Sequence, residues 1–237
     1  MSNSVRIQSY VRAQPTGSAA TSTGETPSKP RILTLSDLIF GLALSISSLT
    51  LISQQPTNSA EFFTSLGLYA LSFFILINVW RLYSSITSIL PSETPTLSSL
   101  NLVLLFLVSI EPYLFAELFT GTGSLPSTVT EVYALDLAFM FLILAVFNHT
   151  LLGEERKLAP KDQPGRYKRT RNLCVVCAII FALSAVPVFV SIPVFTFTVR
   201  GTTENFTITS TLWVVALAFS WGSRLVALRT QPRTRKQ

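Results

Sequence analysis

Three polar residues, Arg31, Ser36 and Asp37, stand immediately before or at the start of a long apolar stretch that continues from Leu38. Polar and ionisable groups at a membrane boundary are unfavourable unless they have partners, so they usually mark a functional or an assembly site. What these residues do depends on the groups that they meet and on what the helix behind them lines.

The helix that follows carries a second pattern. Leu42, Ile46 and Leu49 are spaced i, i+4, i+7 and share one helical face, with Ser45 beside them. A face that alternates bulky aliphatic side chains with hydroxyls is suited to line a pore whose hydrophobic constrictions gate by dewetting. An apolar stripe on a membrane helix is more often a lipid-facing or packing surface, and the spacing alone does not favour the pore.

The composition predicts that the elements which position these residues are membrane-spanning helices. The chain has 237 residues, of which 49% are hydrophobic and 13% are charged, against about 25% charged in soluble domains. Its apolar residues form continuous blocks of spanning length, about 20 residues each. We expect an all-α membrane protein with spans at about 32–53, 61–82, 99–120, 131–152, 173–195 and 209–229. The alternation typical of a membrane β-barrel is not the pattern of these blocks.

The basic residues predict the orientation. If the spans alternate in direction, 17 of the 18 Lys and Arg residues fall on one side, and Arg200 is the exception. The positive-inside rule places that side, with both termini, in the cytoplasm. The net charge of +6 follows from this asymmetry. Because the basic residues cluster at the span ends, anionic lipid is a better partner for them than nucleic acid.

The chain divides into three parts by composition. Residues 1–30 are rich in Ser, Thr, Gly and Pro, and we expect a disordered cytoplasmic tail with no signal peptide. Residues 31–230 hold all six spans, and residues 231–237 form a short basic tail.

Alternating spans bring several polar side chains to one depth. Trp80 and Tyr83 end the second span and Asn101 begins the third, so both ends meet the Ser36-Asp37 end of the first. Trp, Tyr and Asn can donate hydrogen bonds that Ser and Asp accept. Alternatively, the two aromatic residues are only interfacial belt residues and Asp37 is only a helix cap.

These residues carry a family resemblance. Arg31-x-x-x-Leu35-Ser36-Asp37 resembles the Arg-x-x-x-Phe-Ser-Asp signature of the transmembrane protein 175 family of potassium channels. Tyr69-Ala-Leu-Ser72-Phe73, followed by Trp80, is similar to the family's second span. The stretch from Asn101 to Pro112 is similar to its third. Two positions depart from the family pattern. Leu35 stands where the family has the signature Phe, and Tyr83 stands where it has a His.

The resemblance implies a fold and a function. Prokaryotic-type members have a single six-span repeat and form homotetramers, with the first span lining a modestly potassium-selective path. It implies that Leu42, Ile46 and Leu49 form the pore constriction and that Ser45 forms the selectivity layer. The residues that it assigns to the signature and its supporting network are Arg31, Leu35, Ser36, Asp37, Trp80, Tyr83 and Asn101. It implies K⁺ as the permeant ion, no cofactor, and a cell membrane or, in a eukaryotic host, an endolysosomal membrane.

Other classes stay open. A secondary transporter or a proton-leak pathway would need a binding site at the midplane, and Glu111-Pro112 is the only break there. Glu111 and Asp136 predict a cation-attracting outer vestibule, a proton-sensitive site or an inter-helix hydrogen bond. No His-Glu-x-x-His motif or Ser-His pair occurs, so we do not expect an enzyme. The single His149, without clustered Cys or Asp, predicts no metal site.

Overall fold

The computed structural model describes residues 31–53, 59–87, 95–120, 126–158, 164–199 and 202–230. The predicted tails at 1–30 and 231–237 lie outside the described residues. Within the described residues the fold is almost entirely helical, as the composition predicts. Its elements in chain order are α1 (Arg31–Ser53), α2 (Ser59–Thr87), α3 (Pro95–Thr120), α4 (Pro126–Leu158), α5 (Pro164–Ser184), α6 (Pro187–Ser191), β1 (Pro193–Val199), β2 (Thr202–Thr207) and α7 (Ile208–Thr230).

Proline sets the start of several helices. Pro95, Pro126, Pro164 and Pro187 are each the first residue of their helix, where the missing N–H has no intrahelical partner to lose and the fixed φ suits the helix. Pro112 is different, because it lies inside α3 and removes one hydrogen bond of that helix next to Glu111.

Among the described residues, three helices are long and apolar enough to cross a membrane by length and composition, over Ser65–Thr87, Leu97–Leu118 and Thr128–Leu152. Shorter apolar segments occupy Thr34–Leu49 of α1 and Ile208–Gly222 of α7. These helices match a multi-pass membrane protein.

Helix α4 lies at the centre of the packing. It packs most extensively against α5 and also contacts α2 and α3, while α1 packs against α2 and α3 and α7 packs against α5. Leu137, Met140 and Leu144 of α4 are fully buried, and Phe141 stacks on Phe181 of α5 with ring centroids 5.5 Å apart. The core therefore lies between α4 and its neighbours, and α1 packs at its edge.

The fifth predicted span and the loop before it differ from expectation. Helix α4 continues to Leu158 and α5 already begins at Pro164, so most of the basic segment predicted as a loop at 153–172 is helical. At its other end α5 stops at Ser184, and the predicted span end at 195 is wrong. Two antiparallel strands follow, paired from Pro193 with Thr207 to Val199 with Thr202. The all-α expectation therefore needs this one β-hairpin added.

Candidate functional site

A buried hydrogen-bonded group joins the first three helices. The Ser36 hydroxyl of α1 lies 2.8 Å from the Tyr83 hydroxyl of α2, and Asn101 of α3 donates its Nδ2 hydrogen to Ser36 Oγ at 3.5 Å. All three side chains are buried. Buried hydroxyls and amides in an apolar surrounding are favourable only when paired, so this contact fixes the three helices relative to each other.

Asp37, which follows Ser36 in the signature, has its own hydrogen-bond partner on α2. Trp80 donates its Nε1 hydrogen to the carboxylate of Asp37 at 3.1 Å, at the exposed edge of the buried group. Trp80 and Tyr83 are three residues apart and share a face of α2, and therefore each can contact one of two consecutive residues of α1. We call Ser36, Asp37, Trp80, Tyr83 and Asn101 the signature layer. The contacts expected among these five residues are present.

The two departures from the family pattern have different consequences. Tyr83 fits its position, because its ring contacts Phe40 at a centroid distance of 5.8 Å and Phe147 at 6.5 Å while its hydroxyl meets Ser36. Leu35 lies on the exposed side of α1 and takes no part in the buried contact. The side chain of Arg31 lies outside the described part of the structure.

The predicted pore-facing residues lie on the side of α1 that the other described residues leave open. Leu42, Ile46 and Leu49 have 57%, 41% and 58% of their side chains exposed, although all three are large and apolar. Phe40, Ala43 and Ser47 on the other side of the helix are buried. The face carries exposed residues at steps of three and four, namely Leu35, Leu38, Leu42, Ser45 and Leu49. We call these five residues, together with Ile46, the open face of α1.

Ser45 is the hydroxyl residue of the open face, and its hydrogen is directed into the helix. Ser45 Oγ donates to the Gly41 carbonyl at 2.8 Å, and Ser48 Oγ donates to the Ser45 carbonyl at 2.7 Å. With its hydrogen used inside the helix, the Ser45 oxygen presents lone pairs to the exterior. Such an oxygen can accept a hydrogen bond from water or ligate a monovalent cation.

A second polar cluster, which the sequence indicated only through its carboxyl groups, lies deeper in the bundle. Ser72 of α2 and Tyr133 of α4 both donate to Glu111 Oε1 of α3, at 2.6 and 3.1 Å. Glu111 is fully buried and Asp136 is 6% exposed. This burial does not fit a water-filled outer vestibule, and the hydrogen bonds confirm the inter-helix alternative for Glu111. Its partners were missed, because they are 39 and 22 residues away in sequence.

The remaining candidate groups have structural roles. Cys174 and Cys177 are buried, and neither forms a disulfide within the described part of the chain. His149 is exposed, and its Nδ1 lies 3.4 Å from an Arg171 guanidinium nitrogen. No group of three or more His, Cys, Asp or Glu side chains that could hold a metal occurs among the described residues.

Comparisons with known proteins agree with the geometry of the first three helices. Residues 31–112 match the family described as "Endosomal/lysosomal potassium channel TMEM175". The fold is similar to the crystal structure of a lysosomal potassium-selective channel TMEM175 homolog from Chamaesiphon minutus, with a TM-score of 0.53. That similarity covers 81% of this chain and 96% of the homologue at 16% sequence identity, and therefore supports the fold alone. No curated protein matches the chain. The predicted resemblance is confirmed, and the family is one of ion channels and not of enzymes.

The Asp37–Trp80 hydrogen bond gives a stability prediction. Replacing Asp37 with Ala removes the acceptor of Trp80 Nε1, and we expect a loss of about 0.5–1.5 kcal/mol, the usual net value of one hydrogen bond. Thermal unfolding of the purified protein in detergent measures the change as a lower midpoint. The Asp37→Asn variant keeps an acceptor oxygen and should unfold close to wild type. Equal midpoints for wild type and Asp37→Ala would show that this contact does not hold α1.

Proposed function

With its first three helices assigned to the TMEM175 family, we propose that this chain forms a potassium-selective cation channel whose pore is lined by α1. The observation that carries the proposal is the open face of α1. Large apolar side chains and one hydroxyl residue lie there, and the opposite side of the same helix is fixed by the signature layer. A helix that is anchored on one side and open on the other is suited to line a shared axis.

The proposed assembly is a homotetramer of six-span subunits. The spans are α1 to α5 and α7, and both termini are cytoplasmic, which agrees with the 17 of 18 basic residues on that side. Four copies of α1 around an axis would cover the apolar open face that a single chain leaves uncovered. Closed cyclic symmetry of this kind needs only one repeated contact between subunits. Membrane lipid surrounds the assembly, and no cofactor is required.

The constriction is proposed to be a ring of Leu42 side chains, with further apolar layers at Ile46 and Leu49. These residues are separated by four and three positions, so their rings are stacked about 6 and 4.5 Å apart along the axis. A narrow apolar segment excludes water unless it widens, and an ion that has lost its hydration shell does not enter it. The state of the pore thus depends on small movements of α1.

The selectivity layer is proposed to be the ring of Ser45 hydroxyls between the first two apolar layers. Their oxygens face outward with lone pairs available, because the hydroxyl hydrogens are bonded to the Gly41 carbonyls. Hydroxyl oxygens replace part of the hydration shell of K⁺ but are fewer and weaker ligands than stacked carbonyls. A preference for K⁺ over Na⁺ that is modest in size follows from this chemistry.

The signature layer has no role in ion contact in this proposal. Ser36 and Tyr83 are fully buried within the chain, and Asp37 is held by Trp80. Their role is to set the rotation of α1, so that the open face and not the buried face meets the axis.

The second candidate function is a secondary transporter or a proton-leak pathway, for which Glu111 and Asp136 would be the binding groups. Planar-bilayer recording of the purified protein separates the two functions. A channel gives unitary current steps in symmetrical KCl, and a carrier gives a saturable flux without steps. Steps that are absent over a range of voltages and lipids, together with saturable flux, would favour the carrier.

The Leu42 constriction predicts a direct effect on conduction. Leu42→Ala should widen the path and raise the K⁺ flux, because each subunit then removes three side-chain carbons from the narrowest ring. Liposome flux of the purified protein is the measurement. Leu102→Ala on α3 is the matched control, since Leu102 is 59% exposed and Leu42 57%, but Leu102 lies on another helix. Equal flux in wild type and both variants would show that Leu42 does not form the pore constriction.

The Ser45 layer predicts a change in selectivity. Ser45→Ala removes the hydroxyl oxygen from the path, and the K⁺/Na⁺ permeability ratio should fall towards one while current persists. Reversal potentials under bi-ionic conditions measure that ratio. Ser109→Ala is a matched control, because Ser109 is also exposed and donates to a backbone carbonyl, that of Phe106, at 2.7 Å. An unchanged ratio in Ser45→Ala, with Ser109→Ala also unchanged, would exclude the hydroxyl ring as the selective element.

A further inference from the structure

Two buried carboxyl groups lie on the facing sides of adjacent helices, because Tyr133, which donates to Glu111 at 3.1 Å, and Asp136 are three residues apart on one face of α4. They belong to Glu111 of α3, which is fully buried, and Asp136 of α4, which is 6% exposed. Two negative charges at such a place would repel each other without solvent to screen them. Among the described residues, no Lys, Arg or His side chain contributes to the electrostatics of either carboxyl group.

Each of the two carboxyl groups has one oxygen atom that lacks a hydrogen-bond partner among the described residues. Glu111 Oε1 accepts from Ser72 and Tyr133. Glu111 Oε2 and Asp136 Oδ2 are both buried, and neither has a hydrogen-bond partner among the described residues. Two ionised carboxylates offer only acceptors, so they cannot satisfy each other. One proton changes this, because a protonated carboxyl group donates to a carboxylate.

We propose that Glu111 and Asp136 form a buried proton-binding site in which the pair holds one proton between the two carboxyl groups. The proton removes one of the two negative charges and supplies the missing donor. Ser72 and Tyr133 hold Glu111 Oε1 from the other side, and this directs Oε2 away from them. The groups that pack against the two carboxyl groups therefore leave one hydrogen-bonding position unfilled, and the bound proton occupies it.

The site faces the first helix through Ser47. Ser47 lies on the buried side of α1 that faces Glu111, donates its hydroxyl hydrogen to the Ala43 carbonyl at 3.0 Å, and directly follows Ile46 of the open face. Other elements that face the site contribute Ser72 from α2 and Tyr133 from α4, whose ring packs on Trp213 of α7 at a centroid distance of 5.1 Å. Apart from the two carboxyl groups, Tyr133 is the titratable group that faces the site in the described part of the chain.

Loss of the proton would therefore affect the packing of α1 on its buried side. Two carboxylates would demand water or a cation, and the packing of Ser47 against Glu111 would loosen. If α1 lines the pore, its apolar layers move with this packing and the current depends on pH. This last step rests on the proposed function, whereas proton binding by the pair does not.

Infrared spectroscopy of the purified protein tests the site without any need for conduction. Wild type at neutral pH should show the C=O stretching band of a buried protonated carboxyl group, and the band should disappear at high pH. In Glu111→Gln and in Asp136→Asn the amide donates a hydrogen to the remaining carboxylate, so each single variant should lose the band. Glu117→Gln, on the same helix but only half-buried, is the matched control and should keep it.

Two infrared results would overturn the proposal. The first is a wild-type spectrum without the band at neutral pH, including the case where Na⁺ or K⁺ stabilises the protein instead, which would make the pair a cation site. The second is a band that persists in the double variant Glu111→Gln/Asp136→Asn, which contains neither carboxyl group, because the proton would then lie elsewhere. Bilayer current measured over the same pH range tests the coupling to α1. The pH at which the wild-type current changes should match the pH at which the band disappears, and both amide variants should lose that change.

A wild-type current that ignores pH while the band titrates would overturn the coupling and leave the proton site standing. A protein without current but with the expected band would overturn the proposed function and leave the proton site standing. The infrared and current measurements therefore separate the failure of one inference from the failure of the other.

Discussion

The structure depends on the rotation of one helix, which two consecutive polar residues set. Ser36 and Asp37 lie about 100° apart around the axis of α1 and contact Tyr83 and Trp80, which lie on one face of α2. The Ser36–Tyr83 bond is buried and cannot be exchanged for one with water without moving the helix, and the Asp37–Trp80 bond adds to it at the exposed edge. Once both bonds form, α1 has one rotation, and its open face is directed away from α2 and α3.

The apolar side chains of α1 cannot set this rotation by themselves. Lipid tails are as apolar as Leu, so turning Leu42 or Leu49 from lipid to protein gains little from the hydrophobic effect. Polar contacts are therefore the main difference between one rotation and another. For the same reason, the apolar residues of the open face of α1 form the same sequence pattern whether they face lipid or a pore. The residues of the signature layer were therefore the more informative pattern.

Most helix positions and the hydrogen bonds among the residues of the signature layer were predictable, because they follow from local composition and from the expected alternation of apolar blocks. Five of the six expected spans match a helix to within about six residues at each end. The exception is the fifth expected span, 173–195, because α5 ends at Ser184 and the apolar residues from Pro193 onward alternate with Thr, which is the pattern of a strand. The partners of Glu111 were not predictable, because Ser72 and Tyr133 meet it only through the rotations of three helices.

Helix α1 is held at two heights by two different kinds of chemistry. Ser36 and Ser47 both lie on its buried side, 11 residues or about 16 Å apart. At Ser36 the partners are a phenol and an amide, whose donors and acceptors do not change near neutral pH. Ser47 Oγ donates to the Ala43 carbonyl of its own helix at 3.0 Å, and it lies on the side of α1 that faces the proposed proton site of Glu111 and Asp136. In that proposal the number of hydrogen-bond donors behind Ser47 depends on one proton, whereas the contacts of Ser36 do not change.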